Sequence, residues 1–105
     1  MDISTVSSKK DSVIQEIVDH IDLFESFKSI YLFGSILDEK KNPNDIDLLL
    51  IYKKFSSNIL IEVDKIRSTF KKLYACSLDL TVLSEIEVEE SNFIIKLNSK
   101  YLKLK

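Results

Sequence analysis

The sequence predicts an α+β fold, a small mixed β-sheet with helices packed on one face. Three observations predict it. Stretches with apolar residues at helical spacing alternate with short, β-favouring apolar stretches along 105 residues. The most apolar of the short stretches has the character of a central strand covered on both faces. Gly and Pro occur once each, so the breaks between elements are few and sharp. At ~100–200 residues per domain, this length predicts a single domain over residues 1–105.

Each element has its own signal. Ser8–Phe27 carries Val13, Ile14, Ile17, Val18, Ile21 and Phe24 on one helical face, with Ser7, Ser8 or Asp11 as the cap. Ile30–Phe33 reads as a first strand that stops at Gly34, the start of a tight turn over Gly34–Leu37. Asp38–Asn44 is polar, holds the single Pro and reads as a loop. Ile46–Tyr52 is nearly continuously apolar, the central strand. Ser56–Tyr74 is a second amphipathic helix with Ile59, Leu60, Val63, Ile66, Phe70 and Leu73 on its apolar face. Leu78–Leu83 is a third strand. Ser84 and Glu87 have capping-box spacing and open a helix over roughly Glu85–Asn98. Tyr101–Leu104 reads as a short edge strand.

Composition narrows the function. Apolar residues make up 45% and charged residues 30%, which excludes a disordered or fibrous chain. Seventeen acidic and fifteen basic residues give a formal charge of -2, too balanced for a nucleic-acid coat or a polybasic membrane anchor. Cys76 stands alone, so neither an internal disulfide nor a cysteine-rich zinc site is available. Met1–Lys10 lacks the apolar core of a secretory signal, and Leu48–Tyr52 is far too short to span a bilayer. The expectation is a cytoplasmic protein. A domain of this size buries about 60–65% of its unfolded surface, so an active site belongs on an open face.

Chemistry concentrates between Tyr31 and Ile51. Asp45 and Asp47 head the most apolar strand, although Asp is disfavoured in strands. Residues two apart share a face, at about 6–7 Å between Cα atoms. Two carboxylates so placed repel, and a hard cation relieves them; Mg²⁺ takes one or two carboxylates together with substrate phosphates. Gly34 and Ser35 complement them. Gly lets backbone N–H groups approach a phosphate, and the Ser hydroxyl donates to a phosphate oxygen. A helix opened by the turn would add its N-terminal dipole. Asp79 begins the third strand and can point to the face of Asp45 and Asp47, as a third carboxylate that holds metal and helps deprotonate a hydroxyl.

Gly34-Ser35, nine intervening residues, Asp45-Ile46-Asp47 and the later Asp79 resemble the DNA polymerase beta-like nucleotidyltransferase superfamily, in its minimal, stand-alone branch. The likeness runs over roughly Ser12–Leu104. It implies that Asp45, Asp47 and Asp79 are catalytic metal ligands for Mg²⁺, and that Gly34 and Ser35 contact the triphosphate of ATP. It also implies a helical HEPN protein as partner, in some pairs a toxin to which AMP is transferred on a tyrosine. The chain departs from the pattern where Ile36 and Leu37 follow Gly34-Ser35, a place often basic in the family; Lys40 and Lys41 are the nearest cations in sequence.

Plainer readings stand beside each of these. Asp45 and Asp47 alone would be a solvated strand end, Gly34-Ser35 alone a turn, and Asp79 alone a surface residue. Lys40 and Lys41 read as loop solvation, His20 as a boundary residue and Cys76 as packing. The clusters Lys53–Lys54, Lys65–Arg67 and Lys71–Lys72 read as a solvated face. The catalytic reading is transfer of AMP from ATP to a hydroxyl. The alternatives are a catalytically idle antitoxin that neutralises a partner by occlusion, and a structural subunit of a larger assembly.

Overall fold

The structure, a computed structural model, describes residues 9–38, 45–73 and 77–105. The elements are α1 (Lys9–Asp19), a 3-10 turn (Ile21–Phe24), β1 (Ser29–Phe33), a second 3-10 turn (Ser35–Leu37), β2 (Asp45–Tyr52), α2 (Ser57–Leu73), β3 (Ser77–Ser84), α3 (Glu85–Ser91), α4 (Phe93–Lys96) and β4 (Tyr101–Lys103). The four strands form one mixed sheet in the order β3-β2-β1-β4. β1 pairs antiparallel with both β2 and β4, and β2 pairs parallel with β3. A parallel pair needs a long crossover, and α2 is that crossover.

Alternation along β2 sorts its side chains. Ile46, Leu48 and Leu50 are buried in the main core with Ile30 and Leu32 of β1, Val13 and Ile17 of α1, and Ile59, Ile66 and Phe70 of α2. Full burial of a Leu or Ile side chain stabilises by about 1.5–3 kcal/mol, so this layer carries most of the apolar driving force. Leu49 and Ile51 face the other way and join Tyr31 in a smaller cluster closed by Val88 of α3 and Phe93 and Ile94 of α4. Helices α1 and α2 thus cover one face, and α3 and α4 cover part of the other.

Three features differ from the sequence pattern. The first helix stops at Asp19, and Ile21–Phe24 tightens into a 3-10 turn that sends Phe24 into the core and leaves Val18 and Ile21 exposed. In α2, Ile59, Val63, Ile66 and Phe70 form the inward stripe, whereas Leu60 is turned about 100° away and Leu73 lies at the helix end; both are exposed. The last helix is two pieces, because Asn92 takes the left-handed conformation (φ 56) between α3 and α4. The capping box is formed as expected: Glu87 N–H donates to Ser84 Oγ at 3.1 Å, and Ser84 N–H donates to Glu87 Oε1 at 2.9 Å. The backbone donation from Ser84, with help from its side chain, lowers the Glu87 pKa.

No helix among the described residues is long and apolar enough to cross a membrane. Ser7, Ser8, Lys40, Lys41 and Cys76 lie outside the described residues.

Candidate active site

Strand register assembles the site at one end of the sheet. Asp47 is the Cα partner of Asp79 on β3 and of Phe33 on β1, and Asp45 is the partner of Ser77. Partners across a ladder share a face, so Asp45, Asp47 and Asp79 lie on the side opposite the main core, beyond Leu49 and Thr81. This is the end of that face that α3 and α4 leave open.

Asp47 and Asp79 lie side by side across the parallel pair. The Asp47 pKa is raised, first by partial burial, then by the charges of Asp79 and Asp45, and by the hydrogen bond to Asp79. Each charge on this face makes the next ionisation less favourable. None of the ion pairs among the described residues includes Asp45, Asp47 or Asp79. Asp45 is exposed at the first position of β2 and acts on Asp47 through its charge. Among the described residues, no three His, Cys, Asp or Glu side chains converge into a group that could hold a metal ion as they stand. The structure therefore brings two of the three acids together and keeps the third on the same face. Their donors are hard carboxylate oxygens under mutual repulsion. Oxygen donors of this kind suit a small, hard divalent cation.

Gly34 is pressed against this pair. Its φ is 87°, a left-handed value that only Gly adopts without strain. A Cβ there would overlap Asp47 Oδ2 and stand 3.1 Å from Asp47 Cγ. The backbone must therefore be Gly for the turn to pass so near the carboxylate. Ser35 follows, half-buried, and opens a 3-10 turn closed by Leu37 N–H to Gly34 O at 3.1 Å and Asp38 N–H to Ser35 O at 3.0 Å. The turn is three residues long, too short for the helix dipole expected from the sequence. The first N–H groups of such a turn have no acceptor within the turn itself. Ile36 is buried, so the position after Ser35 serves the core.

The model of the nucleotidyltransferase domain family matches residues 12–102. The chain belongs to that family. The match runs from within α1 to within β4 and includes the strands that carry the acids of this nucleotidyltransferase domain. Among curated proteins none matches it. Solved structures of the same fold include a toxin–antitoxin complex with AMP-PNP, at a TM-score of 0.53 and 20% identity over 92% of this chain and 73% of that one. A candidate nucleotidyltransferase from Sulfolobus solfataricus superposes at a TM-score of 0.52, with 17% identity over 97% of this chain and 90% of that one. A variant of the toxin–antitoxin pair MntA-HpeT does so at 0.50, with 16% identity over 92% and 73%. At these identities the likeness is one of fold.

Residues with no motif in the sequence also reach the site. Pairing of β4 with β1 sets Tyr101 opposite Phe33, two strands from Asp47, and Phe93 packs edge-on to Phe33 at 5.7 Å. Only the pairing of distant strands brings them there.

Proposed function

We propose that this domain, acting as one unit over residues 1–105, transfers AMP from ATP to a hydroxyl and releases pyrophosphate. The acceptor oxygen forms a bond to the α-phosphorus as the bond to the pyrophosphate oxygen breaks. The acceptor proton passes to the carboxylate side of the site, where Asp79 is the exposed base. Gly34 and the first N–H groups of the turn cradle the departing phosphates, and the Ser35 hydroxyl donates to one of their oxygens. Asp45, Asp47 and Asp79 would hold Mg²⁺, which when bound supplies charge neutralisation at the phosphates and eases loss of the hydroxyl proton. Catalysis on this reading is positioning plus electrostatics.

One observation carries the reading: Asp47 and Asp79 meet across parallel strands, and a left-handed Gly stands directly against them. A strand end that served only solubility would not place acids in contact on a half-buried face. The acceptor in this proposal is a tyrosine of a HEPN-type toxin in a cytoplasmic toxin–antitoxin pair; two fold neighbours from toxin–antitoxin complexes, one with AMP-PNP, support that choice.

The test is labelled ATP, Mg²⁺ and the partner with the purified chain. Label should reach the partner, and Asp47→Asn should lower the rate by about 10²-fold or more. Absence of transfer by the wild type, or transfer that survives the double change Asp45→Ala, Asp47→Ala, overturns the proposal. A second reading, neutralisation by occlusion, is favoured by the exposure of Phe55 (57%), Leu60 (59%) and Ile61 (51%). It predicts that the same double variant still silences the toxin.

A further inference from the structure

A cavity of about 660 Å³ adjoins the Gly34 turn, with walls that include Lys10, Asp38, Ser99, Lys100 and Tyr101. We propose that this cavity holds the phosphate tail of the nucleoside triphosphate, with Lys100 as its anchoring cation and Lys10 beside it. The inference rests on the nucleotidyl-transfer reading and adds to it the residues that select a triphosphate.

Gly34 belongs to both places. It stands against Asp47 Oδ2 and also forms part of the cavity wall. A reacting phosphate at the carboxylates thus has the rest of its chain directed over a single residue into the cavity. The turn offers that tail no cation, because Gly34–Leu37 is uncharged and Ile36 is committed to the core. Positive charge has to come from elsewhere in the fold, and α1 and the approach to β4 supply it. Two ammonium groups and the Ser99 hydroxyl suit phosphate oxygens better than a nucleobase. The volume lies within the ordinary range for small-molecule sites.

Lys100 is the better anchor. It is exposed and belongs to no ion pair among the described residues. The turn that carries it holds two successive non-Gly residues in the left-handed region, Asn98 (φ 53) and Ser99 (φ 65). Such backbone is uncommon, and it is maintained here where the chain must enter β4 beside the Gly34 turn. Asp38 opposes an anion in the same wall, so its charge limits affinity.

The experiment is calorimetry on the full chain with Mg²⁺ and three probes: a non-hydrolysable ATP analogue, pyrophosphate and AMP. Lys100→Ala should weaken the analogue and pyrophosphate about tenfold, the loss of one charged hydrogen bond, and leave AMP unchanged. Lys100→Arg should restore most of the loss, and Asp38→Asn should tighten the two phosphate probes. Equal loss for AMP, or no loss for any probe, overturns the inference. Lys10→Ala, on a separate element, should show the same selectivity in smaller measure, so an unstable Lys100 variant does not decide the question. A wild-type chain that binds no triphosphate overturns the active-site reading itself, whereas wild-type binding indifferent to both lysines overturns this inference alone.

Discussion

Gly34 and Asp47 share a space that admits one Cβ fewer than usual. Gly34→Ala places a methyl group on Asp47 Oδ2 at a φ of 87°. It should cost roughly 1–3 kcal/mol in urea unfolding and displace the carboxylate, with loss of transfer. Asp47 also makes a pH prediction. Its folded pKa is raised, so the folded chain holds that proton more tightly than the unfolded chain. The resulting stability is fully present below the ordinary carboxylate range and is lost as pH rises through the raised value. In metal-free thermal melts, Asp47→Asn should therefore be more stable than wild type at neutral pH, and the gap should close in acid. Mg²⁺ should return stability to the wild type and not to the variant, since only the wild type has the anion to bind it.

Among the elements, β2 does two jobs at once. Its even positions, Ile46, Leu48 and Leu50, are fully buried, while Asp45 and Asp47 occupy the alternate face at its start. Burial on the core side anchors the strand, so the acids are held in register at its end. Leu50→Ala should cost about 2–5 kcal/mol in denaturant unfolding, because its site lies between Ile30 and Val82 on neighbouring strands and cannot collapse readily. The third strand runs straight into the capping box that opens α3. Because the Glu87 carboxyl is held low by the Ser84 N–H, that cap persists above the ordinary carboxylate range and opens as pH falls through the lowered value.

For the whole molecule, one sheet separates a thick apolar layer from a partly open face. Among the described residues, thirteen fill the main core, against three buried in the cluster under α3 and α4. On the proposed function, the thin side is the one that admits a substrate without dismantling the fold. The outer surface of α2 offers apolar side chains at Leu60 and Ile61, close in sequence to exposed Phe55. Leu60→Lys should leave unfolding stability within about 0.5 kcal/mol, because the residue supports nothing beneath it. On the occlusion reading it should sharply weaken partner capture, measured by co-purification with the toxin; on a purely catalytic reading, capture should not depend on it.

Much of this was legible along the chain because periodicity is a local property. The apolar stripe of α2, the unbroken run of β2 and the Ser84–Glu87 pair each declare an element within a few residues. The break at Asp19 and the left-handed Asn92 were not legible, since each answers to where the next apolar side chain must be buried. Candidate acids could be named from Asp45-Ile46-Asp47 and Asp79, but not which of them touch. The parallel register of β2 with β3 decided that, and it paired Asp47 with Asp79 and left Asp45 outward. Likewise Lys100 has no motif around it; the antiparallel return of β4 along β1 carries it to the Gly34 turn. The order and character of the elements are thus determined by sequence alone, because backbone propensity and burial pattern act over a few residues. The composition of the site is decided by tertiary structure, because strand pairing joins groups that the chain itself keeps dozens of residues apart.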